Sequence, residues 1–176
     1  MANKISFCSI FAALALIFSY IERLMPLDIG VPGVKLGLAN LIVIVALYTL
    51  GAKYAFGINL FRIFVGGLLF SGVFGTAYSM AGGLLSFLVM YLLMRTGLFS
   101  IVGVSMAGGV AHNIGQILMA SLIVANVKIM LYMPVLIISG MITGILIGLL
   151  GHYMMRPLKR VMVRSSNNPV YEERHT

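Results

Sequence analysis

The chain has 176 residues, of which 61% are hydrophobic and 9% charged, with a formal net charge of +8. A soluble domain carries about 25% charged residues, so most of this chain has no water-facing side to decorate. The single cysteine, Cys8, excludes an intrachain disulfide framework and an all-cysteine metal site, and the basic excess lacks the aromatic-interleaved stripe of a nucleic-acid reader.

A bilayer core takes about 20 apolar residues per helix. Apolar runs occupy residues 5–21, 36–51, 54–74, 78–94, 101–124 and 130–153. None alternates with the period of a barrel strand, so each predicts a helix. The first run follows Lys4 as the apolar part of a signal peptide would, but no small-x-small site precedes Glu22, and a retained helix is expected. Residues 22–34, with Pro26, Gly30, Pro32 and Gly33, form the longest connection. Gly51-Ala-Lys53 separates the second and third runs, residues 72–77 the third and fourth, and Arg95-Thr-Gly97 the fourth and fifth. Asn126 and Lys128 mark the last break, and Pro134 falls in the first turn of the sixth helix, where its missing N–H costs little. The fold expected is an all-α integral membrane protein. A bundle of about six transmembrane helices covers residues 1–155, and a basic, disordered cytoplasmic tail covers 156–176.

Lys and Arg orient the bundle. With the N-terminus inside, the cytoplasmic side collects Lys4, Lys53, Arg95, Arg156, Lys159, Arg160 and Arg164, and the outer side Arg23, Lys35 and Lys128. Both ends are therefore expected in the cytoplasm of a multi-pass cell-membrane protein. Tyrosines fall near the same boundaries, with Tyr20, Tyr78 and Tyr132 outside and Tyr48, Tyr54, Tyr91 and Tyr153 inside, as amphipathic rings at headgroup level do.

Small residues come next. Gly140, Gly144 and Gly148 repeat every four residues in the sixth helix, a spacing that lets helix backbones approach closely. In the first helix Ala12, Ala15 and Ser19 share one narrow face. That face is shaped to dock another helix, within the chain or in a partner.

Arg62 lies roughly 12 Å into the third helix at about 1.5 Å per residue. A mid-membrane arginine costs about 3 kcal/mol on insertion scales, and no acid falls inside any apolar run. Its outlets are carbonyls and amides of neighbouring helices, the headgroups, or an anionic ligand. His112, Asn113 and Gln116 cluster on the fifth helix, with His112 and Gln116 one turn apart. Such polar groups face protein or a water-filled cavity, and Gly108, Gly109 and Gly115 keep their surroundings small; a ligand pocket is expected. No metal-ligand set accompanies them.

Catalytic machinery is missing. The chain has no aspartate pair to hold magnesium on a diphosphate and no Walker-type loop. It also lacks the intramembrane carboxylate usual in proton-driven carriers. No catalytic residue and no cofactor is assigned.

The strings Pro32-Gly-Val-Lys-Leu-Gly-Leu-Ala-Asn40, Arg62, Tyr78-Ser-Met-Ala-Gly-Gly83 and Gly109-Val-Ala-His-Asn-Ile-Gly-Gln116 resemble the bacterial Gx transporter family, whose members are often labelled heptaprenyl diphosphate synthase component I. The resemblance runs to about residue 155. That family looks like the substrate-binding S components of energy-coupling factor (ECF) transporters. The likeness implies a six-helix metabolite binder in the lipid bilayer that docks on an ECF-type transmembrane coupling protein driven by two ATPases. It also implies docking through the face of Ala12, Ala15 and Ser19, and a pocket under the first outer loop formed by Lys35, Asn40, His112, Asn113 and Gln116, with Arg62 in a binding or structural role. Vitamins, flavins and isoprenoid or quinone precursors are the ligand classes to consider. The alternative is a non-catalytic membrane subunit of a heptaprenyl diphosphate or quinone-synthesis complex. An electron-transfer accessory protein is a third reading, disfavoured by the lack of a haem or iron–sulfur ligand set.

Overall fold

The structure is a computed structural model that describes residues 2–24 and 37–165. Six α-helices follow in order: α1 Ala2–Leu24, α2 Leu38–Thr49, α3 Ala52–Gly66, α4 Gly72–Thr96, α5 Ile101–Val124 and α6 Met133–Ser165. A π-helical turn, Gly67–Ser71, joins α3 to α4, and a 3-10 turn, Val127–Tyr132, leads into α6. No strand occurs among the described residues. The chain is an all-α membrane protein.

Four stretches are long and apolar enough to cross a bilayer: Ile5–Leu24, Ala52–Thr96, Ile101–Val124 and Val127–Leu158. The second contains two legs. Asn59 of α3 bonds to Gly83 of α4, and the Phe56 and Phe87 rings lie 5.2 Å apart, so the helices run antiparallel about the π turn. The connection is tighter than the expected loop at 72–77. Gly72 adopts φ 66°, a conformation that only glycine takes without strain, and α4 starts there directly.

α2 organises the interior. At twelve residues it is about 18 Å long, short of the ~30 Å hydrocarbon core. Leu41 through Leu47 are all buried. A helix with no polar face is stable only when wrapped on every side, and here α1, α3 and α6 wrap it, with Phe87, Met90 and Val104 closing the same core. α1 presents Phe11 and Ala15 to that core and turns Ile10, Leu14 and Ile17 outward.

α4, α5 and α6 pack through glycine. A Cβ on Gly144 would stand 2.6 Å from Met106 Cα and 2.8 Å from the Ser105 carbonyl oxygen. On Gly148 it would stand 2.7 Å from Val102 Cα, and on Gly140 2.9 Å from the Gly109 carbonyl oxygen. Gly115 sits equally close to α4, with a virtual Cβ 2.6 Å from the Ala81 carbonyl oxygen. Backbone thus meets backbone across α5, where apolar burial offers no driving force inside lipid.

The expected disordered tail from residue 156 is corrected over its first part: α6 continues through Arg156 to Ser165, with Pro157 inside it. Met155 is buried and Leu158 packs on the core, so apolar contacts hold the helix past the last glycine. Residues 166–176 lie outside the described residues.

Helix directions fix where the ends lie. Gly37 faces Ile147 and Gly151 faces Ile44, so α2 and α6 are parallel, while α5 is antiparallel to both α4 and α6. α1 therefore begins, and α6 ends, on the same side of the bundle.

Replacing Gly144 with leucine is expected to destabilise the protein by about 1–3 kcal/mol, the range for overpacking a tight contact. Gly57, with nothing within 4 Å of a virtual Cβ, should accept alanine without loss. Thermal unfolding of both variants in detergent checks the pair.

Candidate functional site

Arg62 is 9% exposed and sits about one turn before the C-terminal end of α3. Its Nε donates to Asn59 Oδ1 at 3.0 Å, and its Nη2 donates to Asn40 Oδ1 at 2.9 Å. Asn59 stands one turn before Arg62 on the same face of α3, and its Nδ2 donates to the Gly83 carbonyl at 3.0 Å. Asn40 comes from the first turn of α2. Helices α2, α3 and α4 are thus tied through one guanidinium. A buried cation without acceptors would cost several kcal/mol; two asparagine oxygens lower that cost while leaving the charge in place.

Arg62 forms one wall of a cavity of about 150 Å³. α1 contributes Ser19, Glu22 and Arg23; α2 contributes Asn40; α4 contributes Ser79. Gly109, His112 and Asn113 come from α5 and Thr143 from α6. Ile63, Gly66 and Phe70 supply the apolar part. The site lies where α1 ends and α2 begins, on the face opposite the start of α1 and the end of α6. A recess of about 20 Å³ shares Gly37, Asn40, Gly109 and Thr143 with it and reaches inward to Ser105 and Met90. That volume suits a single water.

The rim is built from α1 and the π turn. Arg23 Nη1 donates to Ser71 Oγ at 3.1 Å, and the Tyr20 and Phe70 rings lie 5.0 Å apart. π turns widen a helix and recur at functional sites; this one aims Phe70 and Ser71 at the cavity. Glu22 accepts a hydrogen bond from the Gly37 backbone N–H. Gly37 has φ 75°, which turns that N–H toward α1.

The cavity gathers Asn40, Arg62, His112 and Asn113, four of the residues singled out in the sequence. Asn113 also donates through Nδ2 to the Leu136 carbonyl at 2.7 Å, tying α5 to α6. Gln116 is placed differently. It stands against Gly82, whose virtual Cβ would meet its Cγ at 2.8 Å, and it is not part of the cavity wall. The small glycines near His112 divide in the same way: Gly109 lines the cavity and Gly108 the recess, whereas Gly115 serves contact with α4. Lys35 lies outside the described residues.

The small face of α1 turns inward. Ala15 is 0% exposed, Ala12 packs against the core and Ser19 lines the cavity. The face offered above for docking is occupied within the chain. No group of three or more His, Cys, Asp or Glu side chains that could hold a metal ion occurs among the described residues.

Sequence reasoning missed Asn59, Ser79, Thr143 and Glu22. Asn59 had a signal, since an asparagine three residues before a mid-membrane arginine is its nearest helical neighbour. Glu22 was placed in the outer loop, whereas α1 extends through Leu24. The acid therefore shares the cavity with Arg62, and its charge acts on the guanidinium.

Replacing Asn59 with leucine removes one acceptor from Arg62 and one donor from the Gly83 carbonyl. It is expected to cost about 1–3 kcal/mol, the range for stranding buried polar groups, read as a lower unfolding midpoint in detergent.

Comparison with known proteins gives one match. A family model described as heptaprenyl diphosphate synthase component I covers residues 11–154, a stretch that includes every described cavity residue. No curated protein and no solved structure matches the chain. The match takes in more than half of the sequence, and the chain belongs to the heptaprenyl diphosphate synthase component I family.

Proposed function

We propose that the protein is a membrane substrate-binding subunit, similar in role to an ECF S component, that captures a small metabolite for uptake. A separate ECF-type coupling protein and its ATPases supply the energy. The observation that carries this reading is the cavity around Arg62: six helices converge on a polar, partly enclosed space facing away from the chain ends. A packing device alone needs no such space, because interhelical hydrogen bonds satisfy polar groups at contact distance. The sequence offers no phosphate-binding loop, so work must come from a partner. Lys35, from the connection above the cavity, and Gln116, one turn beyond His112, belong to this reading as neighbours of the ligand path. The protein is non-enzymatic and works without a cofactor.

The family description favours a second reading, a non-catalytic membrane subunit of a heptaprenyl diphosphate or quinone-synthesis complex. In that case a soluble synthase would co-purify with the chain, and cavity variants would leave its product length unchanged.

The test is chemical. Full-length protein purified in mild detergent should release a small molecule on denaturation, identified by mass spectrometry, and Asn40→Ala or His112→Ala should lower its occupancy at least tenfold. Equal recovery from wild type and both variants, or none from any, contradicts capture in this cavity.

The proposed membrane is the bacterial cytoplasmic membrane, with both chain ends inside. In a Cys8→Ser background, Leu131→Cys on the turn before α6 should react with an impermeant maleimide from outside intact cells. Leu98→Cys, between α4 and α5, should react only after the membrane is opened. Both side chains are exposed, at 78% and 83%; the reverse pattern inverts the topology.

A further inference from the structure

The binding reading proposed above leaves the class of ligand open, and the cavity narrows it. We infer that the site takes a small monoanion, a carboxylate on a compact apolar body, rather than a diphosphate or a polyprenyl chain.

Charge is the first argument. Among the described residues two of the five guanidinium N–H donors of Arg62 are engaged, both by neutral asparagine oxygens. The remaining donors belong to a planar fork that suits a carboxylate. Among the described residues the cavity holds Arg62 and Arg23 against Glu22, two positive charges less one negative, which leaves one. Glu22 is turned toward the Gly37 backbone N–H at the start of α2, so its charge is partly answered there. A single net positive charge matches one carboxylate. A diphosphate carries more charge than this, and proteins hold it with several cations or with magnesium on carboxylates, which the described residues of this cavity do not bring together.

Size is the second. A cavity of about 150 Å³ accommodates one benzene ring, and this partly enclosed cavity has that volume. Ile63, Gly66 and Phe70 line its apolar part, enough for a ring or a short alkyl body. A polyprenyl chain exceeds this volume. The exposed apolar side chains of the bundle, such as Leu68 and Val73, face outward at 83% exposure each, and offer lipid rather than a tunnel.

The polar arrangement is the third. Asn40, His112, Ser79 and Thr143 surround the space next to Arg62. These are donors and acceptors that can fix a second polar substituent on the ligand. The inference rests on the cavity being a binding site, and the experiment separates the two ideas.

Full-length protein in detergent is titrated with benzoate and butyrate, with benzamide and butyramide, and with inorganic diphosphate and farnesyl diphosphate, thermal stability being the readout. The expected result is a rise in melting temperature with at least one acid, at least tenfold weaker apparent affinity for its amide, and no stabilisation by either diphosphate. Arg62→Gln should abolish the response. Ser79→Leu, which leaves the Arg62–Asn40–Asn59 bonds in place and fills the cavity, should abolish it while the variant still melts cooperatively. If the amides act as strongly as the acids, the cavity remains a binding site and the anion is wrong. Stabilisation by farnesyl diphosphate that survives Ser79→Leu overturns both the size argument and the site. If neither acid acts, the monoanion assignment is overturned whatever small molecule the purified protein carries.

Discussion

A guanidinium buried in a membrane must find oxygen atoms, and this requirement organises the polar interior of the protein. Arg62 cannot shed its charge easily, and an arginine in hydrocarbon is unfavourable by several kcal/mol unless acceptors surround it. Asn59 from its own helix and Asn40 from α2 provide two. Asn59 then needs an acceptor for its amide and finds it at Gly83, where the absence of a side chain lets α3 approach α4. Each polar group thus recruits the next, and the chain of bonds locks three helices at one level. Arg62 is also part of the cavity wall.

Around that level the bundle divides its labour. α4, α5 and α6 form a close-packed slab through glycine contacts, in which added carbon atoms collide with backbone. α2 is an apolar rod wrapped by its neighbours. α1 and the π turn after α3 are different. They meet through one arginine–serine hydrogen bond and one aromatic pair at the rim. The slab carries His112 and Asn113, and α1 carries Arg23 and Glu22.

Much of this was legible in the sequence. Apolar run length and the absence of alternation give six helices, because lipid leaves the backbone no alternative. Arg62, His112, Asn113 and Asn40 stand out because polar side chains are costly at that depth. What stayed hidden depends on rotation and on short range. The sequence places Gln116 beside His112, yet a slight turn of α5 presses it against Gly82 and takes it off the cavity wall. Ala15 has the size of a docking residue, but nothing in its spacing says whether the chain or a partner fills the groove; here the chain does. The continuation of α6 past Arg156 rests on Met155 and Leu158 touching the core, a tertiary effect that local composition does not announce. Glu22 was lost through a helix boundary displaced by a single turn, and with it the countercharge for Arg62.

The central claim is that the space beside Arg62 is water-accessible, electropositive and open toward the face opposite the chain ends. A Ser79→Cys variant in a Cys8→Ser background tests it directly, by the rate of modification in oriented vesicles with small methanethiosulfonates, one bearing a sulfonate and one a trimethylammonium group. Each rate is normalised to that of a free thiol. The account predicts reaction from the face opposite the chain ends, faster for the sulfonate reagent, with that preference lost in Arg62→Gln. Reaction from the other face, no reaction from either, or a preference for the cationic reagent would contradict it.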